Sequence, residues 1–157
     1  MALQRVTKAV DRTLNDYVKR KQLGAHWTVA EKVAVCISAN PSARDLIARG
    51  ARLAEAIDAE LFVLHVESDR VVAPAEARAL EANIQFAQNL GAQVVHLKGS
   101  SVAAATAAFV TEHRVTQAIF GRSALKGIKK YLYFFAIQKF MSEAPHVDLH
   151  IVTQETH

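Results

Sequence analysis

The sequence predicts a three-layer α/β/α fold built on a five-stranded parallel sheet in the order 3-2-1-4-5. The first observation is the run 33–37, which is short, apolar and rich in β-branched residues, as in a strand covered on both faces. The second is the alternation of such runs with stretches of helical periodicity, which favours right-handed βαβ crossovers. The third is the length of 157 residues, which suits one domain with a substantial core.

The predicted elements follow one another without internal repeats or low-complexity tracts. Each helix is marked by apolar residues at helical spacing, and each strand by a short, mainly apolar run. Glycine or proline punctuates many of the element ends. The predicted strands are 33–37, 61–66, 93–97, 117–120 and 147–152, and the predicted helices are 41–57, 74–90, 102–113 and 128–142.

An additional helix is predicted before the first strand. Residues 1–23 carry apolar side chains at helical spacing with charged residues on the other side, and Gly24 is a natural helix stop. A minimal α/β unit has no such arm, so the arm either packs on the domain or connects it to another one. We therefore predict an N-terminal helical arm or linker at 1–29 and an α/β domain at 30–157.

Charge and cysteine content narrow the classes of function. The net charge of +4 arises at the two ends, because Lys and Arg exceed Asp and Glu in 1–32 and 122–157 but not in 33–121. This distribution argues against a nucleic-acid interface and leaves room for one anionic ligand or an acidic protein partner. No apolar run reaches the ~20 residues of a membrane span. The single cysteine, Cys36, is predicted to be a small buried hydrophobe in a reducing compartment, so we expect a cytoplasmic location.

The polar loop after the first strand is one half of a candidate ligand site. Asn40 is a good N-cap and Pro41 suits the first helical position, so the helix would point free N–H groups at a bound anion. Ligands of open parallel sheets bind outside the carboxyl ends of the strands, where the strand order reverses. Plain capping and turn chemistry would select the same residue types, and that alternative stays open. The binding residues predicted here are Ser38, Asn40, Ser42 and Arg44.

The loop after the fourth strand is predicted to form the opposite wall of the same crevice. Gly121, Arg122 and Ser123 offer backbone N–H groups and one guanidinium for a phosphate. An ordinary strand-to-helix turn is the alternative. His65 and Val66, at the end of the second strand, would flank a base if one binds, although a packed strand histidine is the more common role.

Neither a metal centre nor a catalytic constellation is predicted. The seven histidines are scattered without metal-ligand spacing, and one cysteine adds little. The sequence also lacks a nucleophile elbow, a Walker loop and a GxGxxG motif. We therefore expect no catalytic residues, no metal ligands and no enzymatic activity in this chain.

The segment 126–141 is unusually apolar for a surface helix. From 131 to 137 nearly every side of the helix is apolar, whereas a helix on an α/β sheet usually needs one apolar stripe. The excess predicts a face for self-association or for a partner. A more deeply buried helix under the arm and a basic membrane contact are the alternatives. The predicted interface residues are Tyr131, Tyr133, Phe134 and Ile137.

Four segments carry a family resemblance. They are AEKVAVCIS at 30–38, LIARGARLA at 46–54, AELFVLHVE at 59–67, and 115–123, which begins VTQ and ends GRS. Together with the arm at 10–20 they resemble the universal-stress-protein-like domain of the KdpD family of potassium-responsive sensor histidine kinases. The likeness spans roughly residues 10–153.

The resemblance implies a Rossmann-like fold of the adenine nucleotide alpha hydrolase-like kind, used for sensing in the cytoplasm. It implies ATP, AMP or cyclic di-AMP as the ligand, and no other cofactor. Histidine kinase or other signalling domains, or a second copy of the chain, are the implied partners. ATP-binding relatives carry Gly-x-x-Gly and, further on, Gly-Ser or Gly-Thr, whereas here Gly121 is followed by Arg122, Ser123 and Ala124.

The first hypothesis for function is a non-catalytic sensory or regulatory domain of the KdpD type. It would bind an adenine nucleotide or a cyclic dinucleotide such as cyclic di-AMP in potassium or osmotic stress signalling. The alternative is a protein-interaction or dimerisation module whose nucleotide site has decayed. An enzyme on the same fold ranks last, because no catalytic constellation is visible.

Overall fold

The structure is a computed structural model that describes residues 30–67, 69, 71–121 and 130–152. All of these except Ala30 belong to one unit of the chain, Glu31–His157, and the predicted arm at 1–29 lies outside the described residues. None of the described helices is long and apolar enough to cross a membrane. The strands are β1 (Lys32–Ile37), β2 (Glu60–Glu67), β3 (Gln93–Lys98), β4 (Gln117–Gly121) and β5 (Asp148–Val152), and the helices are α1 (Ala43–Ala56), α2 (Pro74–Asn89), α3 (Val102–Glu112) and α4 (Lys130–Glu143).

The five strands form one parallel sheet in the order β3-β2-β1-β4-β5. β1 lies in the centre, with Val35 between Val63 of β2 and Ile119 of β4. Each crossover between strands contains a helix, and parallel sheets of this kind are covered on both faces. The predicted fold class and strand order are therefore confirmed.

Helices α1 and α2 cover one face of the sheet, and α3 and α4 cover the other. Alternate residues of β1 supply the two cores, because successive strand side chains point to opposite faces. Val33 and Val35 pack beneath α1 and α2, whereas Cys36 packs beneath α3 and α4. Complete burial of one large apolar side chain stabilises a fold by roughly 1.5–3 kcal/mol, so the two layers together hold the central strand in place.

The start of α1 differs from the prediction. The helix begins at Ala43 and not at Pro41, because Pro41 and Ser42 form a tight turn ahead of it. In this turn the N–H of Ala43 donates to the carbonyl oxygen of Asn40 at 3.0 Å, which is the spacing of a 3₁₀ turn. The loop between β1 and α1 therefore contains a 3₁₀ turn, which N-capping by a side chain alone does not require.

Cys36 lies in the interior of β1, as predicted. Its Sγ lies 3.8 Å from Oγ1 of the buried Thr106 on α3. Burial raises the pKa of the Cys36 thiol to about 11, and the hydrogen bond to Thr106 opposes only part of that rise. Because the thiolate is the reactive form of cysteine, this thiol is held in an inert state.

We expect Cys36 in the native chain to react with a disulfide reagent at about pH 8 at least ~100-fold more slowly than in the urea-unfolded chain. At a fixed pH the thiolate fraction falls about tenfold for each unit by which the pKa rises, and burial also blocks access of the reagent. Time courses of thiol labelling with and without urea measure the ratio. Similar rates in the two states would contradict the buried position.

Candidate functional site

The carboxyl ends of β1 and β4 lie side by side in the centre of the sheet. Cys36 pairs with Phe120, so the register brings the end of β1 beside Gly121, the last residue of β4. From β1 the strand order runs to β2 and β3 on one side and to β4 and β5 on the other. This reversal point is where open α/β sheets bind ligands, and the sheet places Gly121 of the second predicted wall at the same edge as the loop after β1.

Asn40 organises the loop that follows β1. Its Oδ1 accepts hydrogen bonds from the N–H of Ser42 at 2.9 Å and from the Ser42 hydroxyl at 2.8 Å. Its own N–H donates to Oγ of Ser38 at 3.3 Å. Three of the four predicted binding residues of this loop are therefore joined in one hydrogen-bonded turn. The prediction of Asn40 as the N-cap is wrong, because Ser42 directly precedes the helix and its side chain makes no capping hydrogen bond.

The backbone donors at this helix start are engaged, contrary to the prediction of free N–H groups. The N–H groups of residues 42–45 each donate to an oxygen of residues 40–42, at distances of 2.9–3.3 Å. The prediction is wrong because the tight turn at 41–42 turns the preceding oxygens back toward these donors. An anion bound here would have to compete with these bonds or be held by side chains.

Asn83 of α2 holds the same loop in place, although it was not among the predicted site residues. This side chain is 1% exposed, and its Nδ2 donates to the carbonyl oxygens of Ser38 at 3.1 Å and of Asn40 at 3.0 Å. Both partners are carbonyls, which only accept, so the amide nitrogen must face them. A signal was present, because Asn83 occupies a position on the otherwise apolar inner stripe that includes Leu80, Ile84 and Ala87 of α2.

Arg44, the fourth predicted binding residue of this loop, is exposed and points toward α2. Its guanidinium carbon lies 5.7 Å from the centroid of the Phe86 ring. An exposed contact of this kind contributes about 0.5–1 kcal/mol, so it orients the side chain without fixing it. Arg44 therefore brings a positive charge to the start of α1 on the side of α2.

The opposite wall is described only at its base. Gly121 is buried at the end of β4, where it pairs with Val152 of β5. Arg122 and Ser123 lie outside the described residues, so their predicted role stays a prediction.

The structure separates His65 from Val66. Successive residues of β2 point to opposite faces, so His65 lies on the face of α1 and α2 while Val66 lies on the face of α3 and α4. Their predicted role in flanking a base stays a prediction, in which the two side chains would lie on different faces of the sheet. His65 is half-buried, and burial lowers the pKa of its imidazole, as does the neighbouring His96, while Glu67 opposes the change.

Helix α4 is anchored on one side and exposed on another. Phe140 is buried and packs edge-on against Phe120, with ring centroids 5.1 Å apart. Phe135 and Met141 are 63% and 56% exposed, and Ile137 is half-buried. The predicted interface stays a prediction, because three of its members have side chains outside the described part of the structure: Tyr131, Tyr133 and Phe134.

An all-parallel sheet in this order, with helices on both faces and a polar loop at the switch point, defines the class of doubly wound α/β proteins. Within that class, the model of the Universal stress protein family matches residues 30–132, and the chain belongs to this family. The family resemblance seen in the sequence is thereby confirmed.

The curated relatives are KdpD sensor proteins. The chain is 29% identical over 146 residues to the putative sensor protein KdpD of Synechocystis sp., a match that covers 92% of this chain and 40% of the relative. It is 29% identical over 137 residues to the sensor protein KdpD of Mycobacterium tuberculosis, covering 87% of this chain and 16% of the relative. The chain therefore spans less than half the length of these relatives.

Solved structures of universal stress proteins share the fold. One, in complex with cAMP, superposes with a TM-score of 0.60 at 18% identity and covers 81% of this chain and 100% of its own. UspA from Lactobacillus plantarum superposes with a TM-score of 0.54 at 13% identity and covers 82% of this chain and 100% of its own. These likenesses agree with the strand order observed here.

Proposed function

We propose that this chain is a non-catalytic sensory or regulatory domain of the KdpD type that binds an adenine nucleotide or a cyclic dinucleotide. The observation that carries the proposal is the braced polar loop Ser38–Ser42 at the switch point, beside Gly121. Gly121 has no side chain, so it adds no bulk at the end of β4 where the ligand is proposed to lie. The hydrogen bonds from Asn83 fix the conformation of the loop before a ligand binds. Such preorganisation favours binding, because less conformational entropy is lost.

The relatives support this choice of ligand and role. A universal stress protein of the same fold was solved in complex with cAMP. The curated relatives are sensor proteins named KdpD, of which this chain matches a part. A role in potassium or osmotic stress signalling, a cytoplasmic location and cyclic di-AMP as the ligand all belong to the proposal.

The loop chemistry favours a ligand with one phosphate per nucleoside. The N–H groups of residues 42–45 are engaged in the turn, and the sequence after Gly121 lacks the second glycine of the ATP-binding pattern. At the start of α1, few backbone donors would remain for a triphosphate, whereas one phosphate or phosphodiester needs few partners. A guanidinium can supply two parallel hydrogen bonds to it, and we assign that role to Arg122.

We expect AMP, cAMP or cyclic di-AMP to raise the melting temperature of the chain, and ATP and cyclic di-GMP to do so less. A ligand at 100 times its Kd stabilises the folded state by about 2.7 kcal/mol, which is roughly 5–10 °C for a domain of this size. A thermal-shift assay with each of these nucleotides measures the change in melting temperature. Calorimetric titration of the best ligand then gives its Kd. The absence of a shift with every nucleotide at millimolar concentration would overturn the nucleotide proposal.

Two arginine variants make the control for that titration. Arg122→Ala should weaken the best ligand about 10–100-fold, because a charge-assisted hydrogen bond contributes about 1.5–3 kcal/mol. Arg49→Ala removes the same charge from an exposed position further along α1, and its affinity should stay within about twofold. Equal losses in the two variants would indicate a general charge effect and contradict the assigned role of Arg122.

An interaction module is the second candidate, and the exposure of Phe135 and Met141 on α4 favours it. Large exposed apolar side chains on one helix are typical of interaction surfaces. If the chain is an interaction module, no nucleotide should shift its melting temperature. The mass measured by light scattering should fall in Phe135→Asp. It should not fall in the control Gln138→Asp, which changes an exposed neighbour on the same helix.

A further inference from the structure

Three metal-ligand side chains meet at the carboxyl ends of β2 and β3. His65 and Glu67 are two residues apart on β2, so they lie on the same face of the sheet. His96 of β3 is the direct register partner of His65. One ligand atom from each of the three residues lies within 4.8 Å of the other two. The cluster is thus built by the strand register and not by spacing along the chain.

Contacts within the cluster leave it incompletely satisfied. Nδ1 of His96 lies 3.6 Å from Oε1 of Glu67, longer than a hydrogen bond, and both side chains are nearly half exposed. The rings of His65 and His96 meet edge-on with centroids 5.9 Å apart. Nδ1 of His65 is buried and has no hydrogen-bond partner among the described residues. A buried polar atom without a hydrogen bond lowers the stability of the fold by about 1–3 kcal/mol, so a bound partner at this nitrogen would be favourable.

We propose that His65, Glu67 and His96 bind one divalent transition-metal cation, with Zn²⁺ as the best match. Two imidazole nitrogens and one carboxylate oxygen are a ligand set that suits zinc, whereas Mg²⁺ and Ca²⁺ prefer oxygen ligands only. Metal bonds of about 2.0–2.2 Å require ligand atoms about 3.4 Å apart, so closure needs only a small movement of the two exposed side chains. A four-coordinate site would take its fourth ligand from water or from an anionic group.

The surroundings of His65 support this assignment. The carboxylate of Glu67 supplies one negative charge and so offsets half of the charge of a divalent cation. The cluster lies on the α1 and α2 face of β2 and β3, whereas the proposed nucleotide crevice lies between β1 and β4, so the two sites can be tested independently.

The test is titration of the tag-free, chelator-treated full chain with Zn²⁺ in the absence of nucleotide. We expect one equivalent to bind by calorimetry, and Co²⁺ to bind in its place with the visible absorption of a four-coordinate site. A hundredfold excess of Mg²⁺ should leave the Zn²⁺ affinity unchanged. Stoichiometry other than one, or displacement by Mg²⁺, would overturn the assignment.

Variants locate the bound cation. His96→Ala and Glu67→Gln each remove one ligand from a half-exposed position, so both should fold, and each should weaken Zn²⁺ binding at least tenfold. His146→Ala removes an exposed histidine outside the cluster and should leave the affinity within about twofold. If the cluster variants bind as tightly as His146→Ala, the cation is held elsewhere and the proposal fails, whatever the outcome of the nucleotide titrations.

Discussion

Gly50→Ala is expected to destabilise the fold by about 3 kcal/mol, although alanine is the better helix former by about 1 kcal/mol. A Cβ at this position of α1 would overlap Cγ2 of Val35, far inside van der Waals contact. The same Cβ would lie 3.5 Å from Cδ1 of Leu61 and 3.7 Å from Cδ1 of Ile119, so the new methyl group would have no free volume to enter. Steric overlap therefore outweighs the gain in helix propensity.

The overlap cannot be relieved by a simple side-chain rotation. Val35 is fully buried and is paired on both sides within the central strand, and β-branched side chains are stiff at χ1. The helix must therefore move outward from the sheet, which would loosen Leu46 and Ile47 in the same core. The free energy of unfolding, measured by urea denaturation, reports this loss.

A double-mutant cycle tests the cause of the loss. Val35→Ala removes the Cγ2 methyl group that the added Cβ at position 50 would strike, so the double variant should lose at least 1 kcal/mol less than the sum of the two single losses. Arg52→Ala is the control, because it changes an exposed residue of the same helix and should stay within about 0.5 kcal/mol of the parent. Additive losses in the cycle would show that the contact with Val35 is not the reason.

The fold was predictable because periodicity and chain order determine it together. The buried run at 33–37 has the pattern of a strand covered on both faces, and the alternation of elements restricts the crossovers to one hand. Gly50 also fell on the apolar stripe of α1, but the sequence contains no measure of how closely that stripe approaches β1. The start of α1 was misplaced because the turn at 41–42 depends on hydrogen bonds from a loop conformation that propensities do not specify.

The site was less predictable because it depends on contacts between elements. His65 and Glu67 share a face by spacing alone, but the addition of His96 requires the register of β2 against β3, and a slip of one residue would move it to the other face. Asn83 was detectable as a polar residue on an apolar stripe, yet its two carbonyl partners belong to a distant loop. Sequence spacing therefore predicted the polar loop after β1, but it predicted neither the role of Asn83 nor the cluster of His65, Glu67 and His96.

Asn83→Leu is expected to destabilise the chain by about 1–3 kcal/mol, although leucine has nearly the same size and suits the apolar stripe of α2. The substitution removes the two hydrogen bonds that Nδ2 donates to the carbonyl oxygens of Ser38 and Asn40, and each such bond contributes about 0.5–1.5 kcal/mol. The Asn40 carbonyl oxygen keeps the hydrogen bond from the N–H of Ala43. Asn83→Asp should be at least as destabilising at neutral pH, because a carboxylate would face two carbonyl oxygens and donate to neither. Urea denaturation gives both values, and Gln85→Leu, an exposed position on the same helix, should stay within about 0.5 kcal/mol.

Hydrogen exchange in the loop distinguishes a residue that holds the loop in place from an ordinary core residue. Without the Asn83 donor, the turn at 38–42 should open without global unfolding, so the amide hydrogens of residues 42–45 should exchange faster by a larger factor than those of β1. A uniform increase across both segments would mean that Asn83 stabilises the core only and does not hold the loop. Faster exchange confined to the loop would show that the wall of the proposed crevice depends on one buried side chain of the neighbouring helix.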